Sequence, residues 1–347
     1  MDSSKKNDKW CQDYGRKRRK RRKKRVIPKA IFLIAAITII FYFGSKIIVP
    51  FLSDDFGTLT ELQTNSESGQ FDFDKNALPE INVDLEHLYS PYAILVELDS
   101  GNILAEHNSG DKIYPASLTK IMTAVLAIEN TDDLSQTITL PYDIFEPLYA
   151  ENASMAGFQP GEKTTLKDLL YGILLPSGAE CCMAFADRIA GSEESFVNMM
   201  NEKATEIGMS NTHFCNTTGL HNPDHYSTVK DISILLEYAL QYEDFRQAFS
   251  SSRYSTRSTN QHPEGFTFYS TMFKYMDSTE VVGGEIIGGK TGYTEEAGLC
   301  LASLAEVDGK EYILVTAKAN GTHQTEQFHI LDAINVYSQI GELNITN

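Results

Sequence analysis

Hydrophobic and polar positions divide the chain into an early apolar block, a polar stretch, and a long remainder that alternates between two periods. Ala30 to Ser45 is uncharged and strongly apolar, with Lys29 and Lys46 on its flanks. If both lysines snorkel, the usable span runs from Val26 to Val49 and reaches the ~20 residues a bilayer needs. Phe51 to about Glu86 is acidic, with isolated apolar residues, and reads as a linker. Beyond Ser90 the pattern becomes that of a folded domain. Tyr92 to Leu98 is strand-like, Asp99-Ser-Gly-Asn102 is turn chemistry, and Ile103 to Glu106 can return antiparallel. Helical spacing follows over Leu118 to Glu129, Leu166 to Leu175 behind a Thr165 cap, Glu180 to Ala190, Glu193 to Ile207 and Ile232 to Tyr242. Ile138 to Glu162 is irregular, and Asn211 to Asp231 is loop-like. Ile286 to Lys290, Gly298 to Glu306 and Tyr312 to Lys318 read as strands, the last two joined at Asp308-Gly309, and Phe328 to Ile340 as a closing helix. Strands at both ends with helices between them predict one sheet assembled from the two termini around a helical insert.

Charge sharpens the division. The 347 residues carry a net charge of -17, but residues 1–46 hold 15 of the 30 Lys and Arg and only three acidic residues, Asp2, Asp8 and Asp13. The rest sets 15 basic against 44 acidic residues, a balance of −29. The basic run Arg16 to Arg25 abuts the apolar block, so membrane topology and anionic lipid explain it and no nucleic acid is expected. Lys46-Ile-Ile-Val-Pro-Phe51 offers no small-x-small cleavage site. The expected order is a cytoplasmic tail over 1–25, an uncleaved single-pass signal-anchor over 26–49, an extracellular linker over 50–88 and a folded domain over 89–345. The expected location is therefore the cell membrane, with the domain outside. The five cysteines form no evenly spaced framework; adjacent Cys181 and Cys182 cannot bridge without strain, and Cys300 between two leucines reads as a buried small hydrophobe.

Chemistry concentrates at Tyr114-Pro-Ala-Ser-Leu-Thr-Lys-Ile-Met-Thr123. Ser117 stands where an N-cap or first-turn residue belongs, and Lys120 lies one turn on along the same face. A hydroxyl beside an amine is either an activated nucleophile or an ordinary cap followed by a solvated lysine. His213, His221 and His225 with Asp224 invite a metal reading. They lie in a Pro-containing loop with no H-E-x-x-H, and are read as structural or pocket-rim residues. No metal or other cofactor is expected.

Ser117-x-x-Lys120 is followed in order by Ser177-Gly-Ala179 and Lys290-Thr-Gly292. The three resemble the S-x-x-K, S-x-N and K-T-G signatures of penicillin-recognising serine enzymes. Leu175-Pro-Ser-Gly178, Asn216-Thr-Thr-Gly-Leu220, His225-Tyr-Ser-Thr228 and Gly289-Lys-Thr-Gly-Tyr-Thr294 narrow the resemblance to low-molecular-mass D-alanyl-D-alanine carboxypeptidases, over roughly residues 90–340. The resemblance implies a mixed α/β fold of the β-lactamase type, with an antiparallel sheet flanked by helices and an all-helical subdomain. It implies peptidoglycan stem peptides ending in D-Ala-D-Ala as substrate and β-lactam antibiotics as inhibitors. It also implies Ser117 as acyl-ester nucleophile, Lys120 as general base with its pKa lowered by burial and by Lys290, and Ser177 as proton shuttle. Lys290 and Thr291 would receive the substrate carboxylate, Gly292 would admit substrate to the backbone, and the backbone N–H groups of Ser117 and Tyr293 would hold the oxyanion. One position departs: Ala179 stands where the family has Asn. Glu180 is not expected to replace that amide, because it points about 100° away on a helix.

Overall fold

The structure, a computed structural model, describes residues 83–346. The apolar block and most of the linker lie outside these residues. No helix among the described residues is long and apolar enough to cross a membrane.

β1 (Tyr92–Glu97) and β2 (Asn102–His107) form the predicted hairpin. The helical insert then runs through α1 (Thr119–Glu129), α2 (Phe145–Ala150), α3 (Leu166–Leu174), α4 (Ala179–Ala190), α5 (Glu193–Glu206), α6 (Val229–Ala239) and α7 (Glu243–Phe249). Two small two-stranded sheets decorate it, β3 (Thr137–Thr139) with β4 (Lys163–Thr165) and β5 (Arg253–Ser255) with β6 (Thr267–Tyr269). β7 (Glu280–Val281), β8 (Gly284–Thr294), β9 (Gly298–Val307), β10 (Lys310–Ala319) and α8 (Phe328–Thr346) close the chain. The main sheet has the order β2-β1-β10-β9-β8-β7, antiparallel throughout. Pairing of β1 with β10 joins the two ends of the domain, as the sequence pattern requires. The short α2, α7 and the small sheets are absent from that reading, since three-residue strands and helices of six or seven residues carry too little periodicity to register.

β9 and β10 are apolar almost without a break because both faces of the sheet are covered. Ile94, Val96, Ala302, Leu304, Ile313 and Val315 point into the core shared with the helical insert. Ala93, Leu95, Leu301, Ala305, Tyr312 and Leu314 point the other way, against Ile330, Ala333, Val336, Tyr337 and Ile340 of α8. Thr165 caps α3 with a reciprocal capping box to Asp168, which fixes where that helix starts. Val83 and Leu85, inside the stretch read as linker, are buried with α8. β7 pairs β8 only at Gly284 and Glu285, so the later part of β8 is a free strand edge facing the insert.

Replacing Leu85 with Ala removes a side chain only 3% exposed, and the expected loss in urea unfolding is about 2–4 kcal/mol. A change within the scatter of the measurement would exclude Leu85 from the core.

Candidate active site

The free edge of β8, the start of α1 and the turn before α4 meet at one place. With Pro115 at the cap of a single 3-10 turn, Ala116–Leu118, and Leu118 at the cap of α1, the Ser117 hydroxyl stands at neither cap position. It accepts instead from the Lys120 Nζ at 3.1 Å. The same Nζ donates to the Thr218 carbonyl at 2.6 Å. Across the cleft the Lys290 Nζ donates to the Ser177 hydroxyl at 3.0 Å and to the Thr291 carbonyl at 2.8 Å. The structure thus assembles the three motifs as two lysine–serine pairs. The Thr291 hydroxyl shares a hydrogen bond of 2.6 Å with Thr271, and Tyr293 packs against His323 with ring centres 4.7 Å apart.

Both lysines are buried, Lys120 at 2% and Lys290 at 0% exposure. Burial is the first cause that pulls each below the ordinary lysine range, because a charged ammonium loses its hydration there. The charge of Lys120 lowers Lys290 further. Burial, and not the Lys290 charge expected from the sequence, is what depresses Lys120. Of the groups that oppose this, the thiols of Cys181 and Cys182 are themselves pushed up by burial, Cys182 to about 12. At neutral pH they carry no charge, which leaves Glu180 as the acid whose charge raises Lys120, and burial pushes the Glu180 carboxyl itself up.

Backbone strain marks the same spot. Ala116 and Ser177 adopt φ of 46° and 69°, a left-handed region that costs a non-glycine residue about 1–3 kcal/mol. Two glycines allow the close packing that holds these turns. A Cβ on Gly292 would sit 3.1 Å from both the Pro115 carbonyl oxygen and the Ser117 nitrogen, and one on Gly219 would collide with the Ala116 carbonyl. Gly292 therefore admits the backbone of the serine turn. Gly219 belongs to the Asn216–Leu220 loop, whose Asn216 side chain accepts from Gly219 N at 2.7 Å and donates to Leu220 O at 2.9 Å. That loop presents the Thr218 carbonyl to Lys120, a role the sequence reading missed when it saw only a turn.

His225 is buried among bonds. Its Nδ1 accepts from Cys215 N at 3.1 Å, which leaves Nε2–H to meet the Thr119 hydroxyl at 2.8 Å. Burial, then His213, His221 and Lys120, holds its pKa down at about 4. His221 lies edge-on to Tyr114 with ring centres 4.8 Å apart. Structural and rim roles for these histidines match the geometry. Cys300 is buried and its thiol is pushed up to about 11 by burial.

Ala179 is 1% exposed and opens α4. Glu180 turns away from the two lysine–serine pairs and accepts from the backbone N–H groups of Ala156, Gly157 and Phe158. It does not replace the missing amide.

An antiparallel sheet with a helical insert, and two lysine–serine pairs where they meet, define the candidate site. The profile of the D-alanyl-D-alanine carboxypeptidase family, peptidase S11, matches residues 80–321, and the chain belongs to that family. It is 34% identical over 228 residues to D-alanyl-D-alanine carboxypeptidase DacF of Bacillus subtilis (strain 168), covering 66% of this chain and 57% of that protein. It is 36% identical over 149 residues to DacC of Escherichia coli (strain K12), covering 41% of this chain and 37% of that protein. The chain thus spans little more than half of the first relative and less of the second. Among solved structures, the Streptomyces K15 DD-transpeptidase superposes with a TM-score of 0.65 at 26% identity, over 73% of this chain and 97% of that one.

The buried neutral state of His225 predicts a pH effect on stability. Its folded pKa of about 4 lies below the ordinary 6.5, so the unfolded chain binds the extra proton first. The stability is present above pH 6.5 and is lost as pH falls toward 4, by on the order of 3 kcal/mol. In urea unfolding from pH 6.5 to 4, a His225→Gln variant should lose less stability than the parent by about that amount. Parallel curves would show that His225 protonates equally in both states.

Proposed function

We propose that the protein is a membrane-anchored serine D-Ala-D-Ala carboxypeptidase acting outside the cell on peptidoglycan stem peptides. One observation carries the reading: Ser117 is hydrogen-bonded to a buried Lys120 whose proton affinity burial has reduced. The basic run and the apolar block over residues 30–45 support the anchor and the extracellular placement.

A serine hydroxyl is a poor nucleophile until a base removes its proton. Neutral Lys120 takes that proton as the Ser117 oxygen attacks the carbonyl of the terminal D-Ala-D-Ala bond. The developing oxyanion meets the backbone N–H groups of Ser117 and Tyr293, donors that need no reorganisation. Ser177, held by Lys290, passes its proton to the departing D-alanine nitrogen and takes one back from the protonated Lys120, which leaves Lys120 neutral again. Lys290 and Thr291 on the free edge of β8 bind the terminal carboxylate. Water then cleaves the acyl-serine ester, with Lys120 again taking a proton, and the peptide leaves one D-alanine shorter. β-Lactams mimic the acyl-D-Ala-D-Ala unit and acylate the same serine. Ala179 removes one hydrogen-bond partner for the substrate backbone, a loss of about 0.5–1.5 kcal/mol where water fills the vacancy. The site is slowed by this but keeps its nucleophile and base.

Purified protein given a pentapeptide ending in D-Ala-D-Ala should release D-alanine, and penicillin but not a chelator should stop it. Ser117→Ala should lose both this activity and fluorescent-penicillin labelling. Peptide binding without release would instead make the protein a penicillin- or peptidoglycan-binding protein, and rapid penicillin turnover would make it a β-lactamase.

Because neutral Lys120 is the base, acylation should rise with pH and level off below the ordinary lysine pKa of 10.5. Lys120→Arg keeps the charge and removes the base, so its acylation rate should fall by about 10²–10⁴-fold and lose that pH limb. An unchanged limb in the variant would assign the base to another group.

A further inference from the structure

Glu180 is buried at 0% exposure one residue past the altered second motif, and the mechanism does not use it. One of its oxygens, Oε1, accepts from Ala156 N at 2.8 Å, Gly157 N at 2.9 Å and Phe158 N at 3.3 Å. Its Oε2 is buried and makes no hydrogen bond. The segment so gripped packs against the turn that carries Ser177. Ala179 N donates to Ser154 O at 2.8 Å, and Gly178 N donates to Gly172 O at 2.8 Å. A Cβ on Gly178 would approach the Ala156 Cβ to 2.6 Å and Glu180 Oε2 to 3.0 Å, so the turn and segment are in close contact. Phe158 anchors the far end of the segment in the core at 1% exposure. Between these ties stands Ser177 with φ of 69°. A strained conformation of this kind persists only when its surroundings over-determine it.

We propose that Glu180 is a positioning residue for Ser177: one carboxylate oxygen fastens residues 156–158 to the turn and so keeps the Ser177 hydroxyl on Lys290. The proposal rests on the reading of Ser177 as the proton shuttle. A single acceptor oxygen does the holding, so charge is not required. Glutamine supplies the same oxygen at the same reach. Aspartate, one methylene shorter, cannot span the gap, and alanine removes the acceptor.

The test measures penicillin acylation of the full chain, with the maximal rate and the binding constant separated, and thermal unfolding of every variant alongside. Glu180→Gln should keep the maximal rate within about threefold. Glu180→Asp and Glu180→Ala should lower it by about 10²-fold with binding little changed, as a misplaced group does. In a Ser177→Ala background Glu180→Asp should add little, since two residues acting through one step are not additive. The proposal is overturned if Glu180→Gln falls as far as Glu180→Asp, if the Glu180 and Ser177 effects add in full, or if Glu180→Asp acylates at the parent rate, whatever its thermal unfolding. Ser117→Ala, run in parallel, reads the serine mechanism by itself: labelling that survives there defeats that mechanism whatever Glu180 does.

Discussion

The site depends on keeping two lysines dry. An ammonium taken from water into a protein interior loses hydration worth several kcal/mol even after relaxation, and Lys120 and Lys290 are both buried. Each is held by a serine hydroxyl and one backbone carbonyl, groups that accept a hydrogen bond without adding a counter-charge. A full carboxylate at either position would restore the charged ammonium and remove the base. The nearby thiols are neutral, and Glu180 spends its bonded oxygen on backbone N–H groups. The electrostatics of the cleft thus come more from what surrounds the lysines than from the lysines facing each other.

Holding those partners in place shapes the backbone around them. The turns carrying Ala116 and Ser177 are left-handed, and Gly219 and Gly292 exist where a side chain would push the serine turn away. The sheet supplies the rigid frame. Its inner face packs on α6 and α7 and its outer face on α8, so β8 cannot shift without disturbing two cores. Its later residues nevertheless remain an open edge among the described residues. Ala179 alters one wall of this arrangement and leaves the frame intact.

Much of this was legible in the residues. Nearly unbroken apolar runs gave β1, β9 and β10, helical spacing gave α1 and α4, and the order of the three motifs placed Ser117, Lys120, Ser177 and Lys290 in one site. β8 proved longer than its apolar run because Lys290-Thr-Gly292 continues the strand, and glycine and lysine conceal strand periodicity. The sequence by itself determined which residues make up the candidate site, since three motifs in that order and with those flanks admit few readings. Only the tertiary structure decided how they are tuned. Burial sets the protonation of Lys120, the Thr218 carbonyl reaches it from 98 residues away, and Glu180 grips a segment more than 20 residues earlier. Solvation and contacts between distant segments are properties of the packed chain, and local pattern carries no record of them.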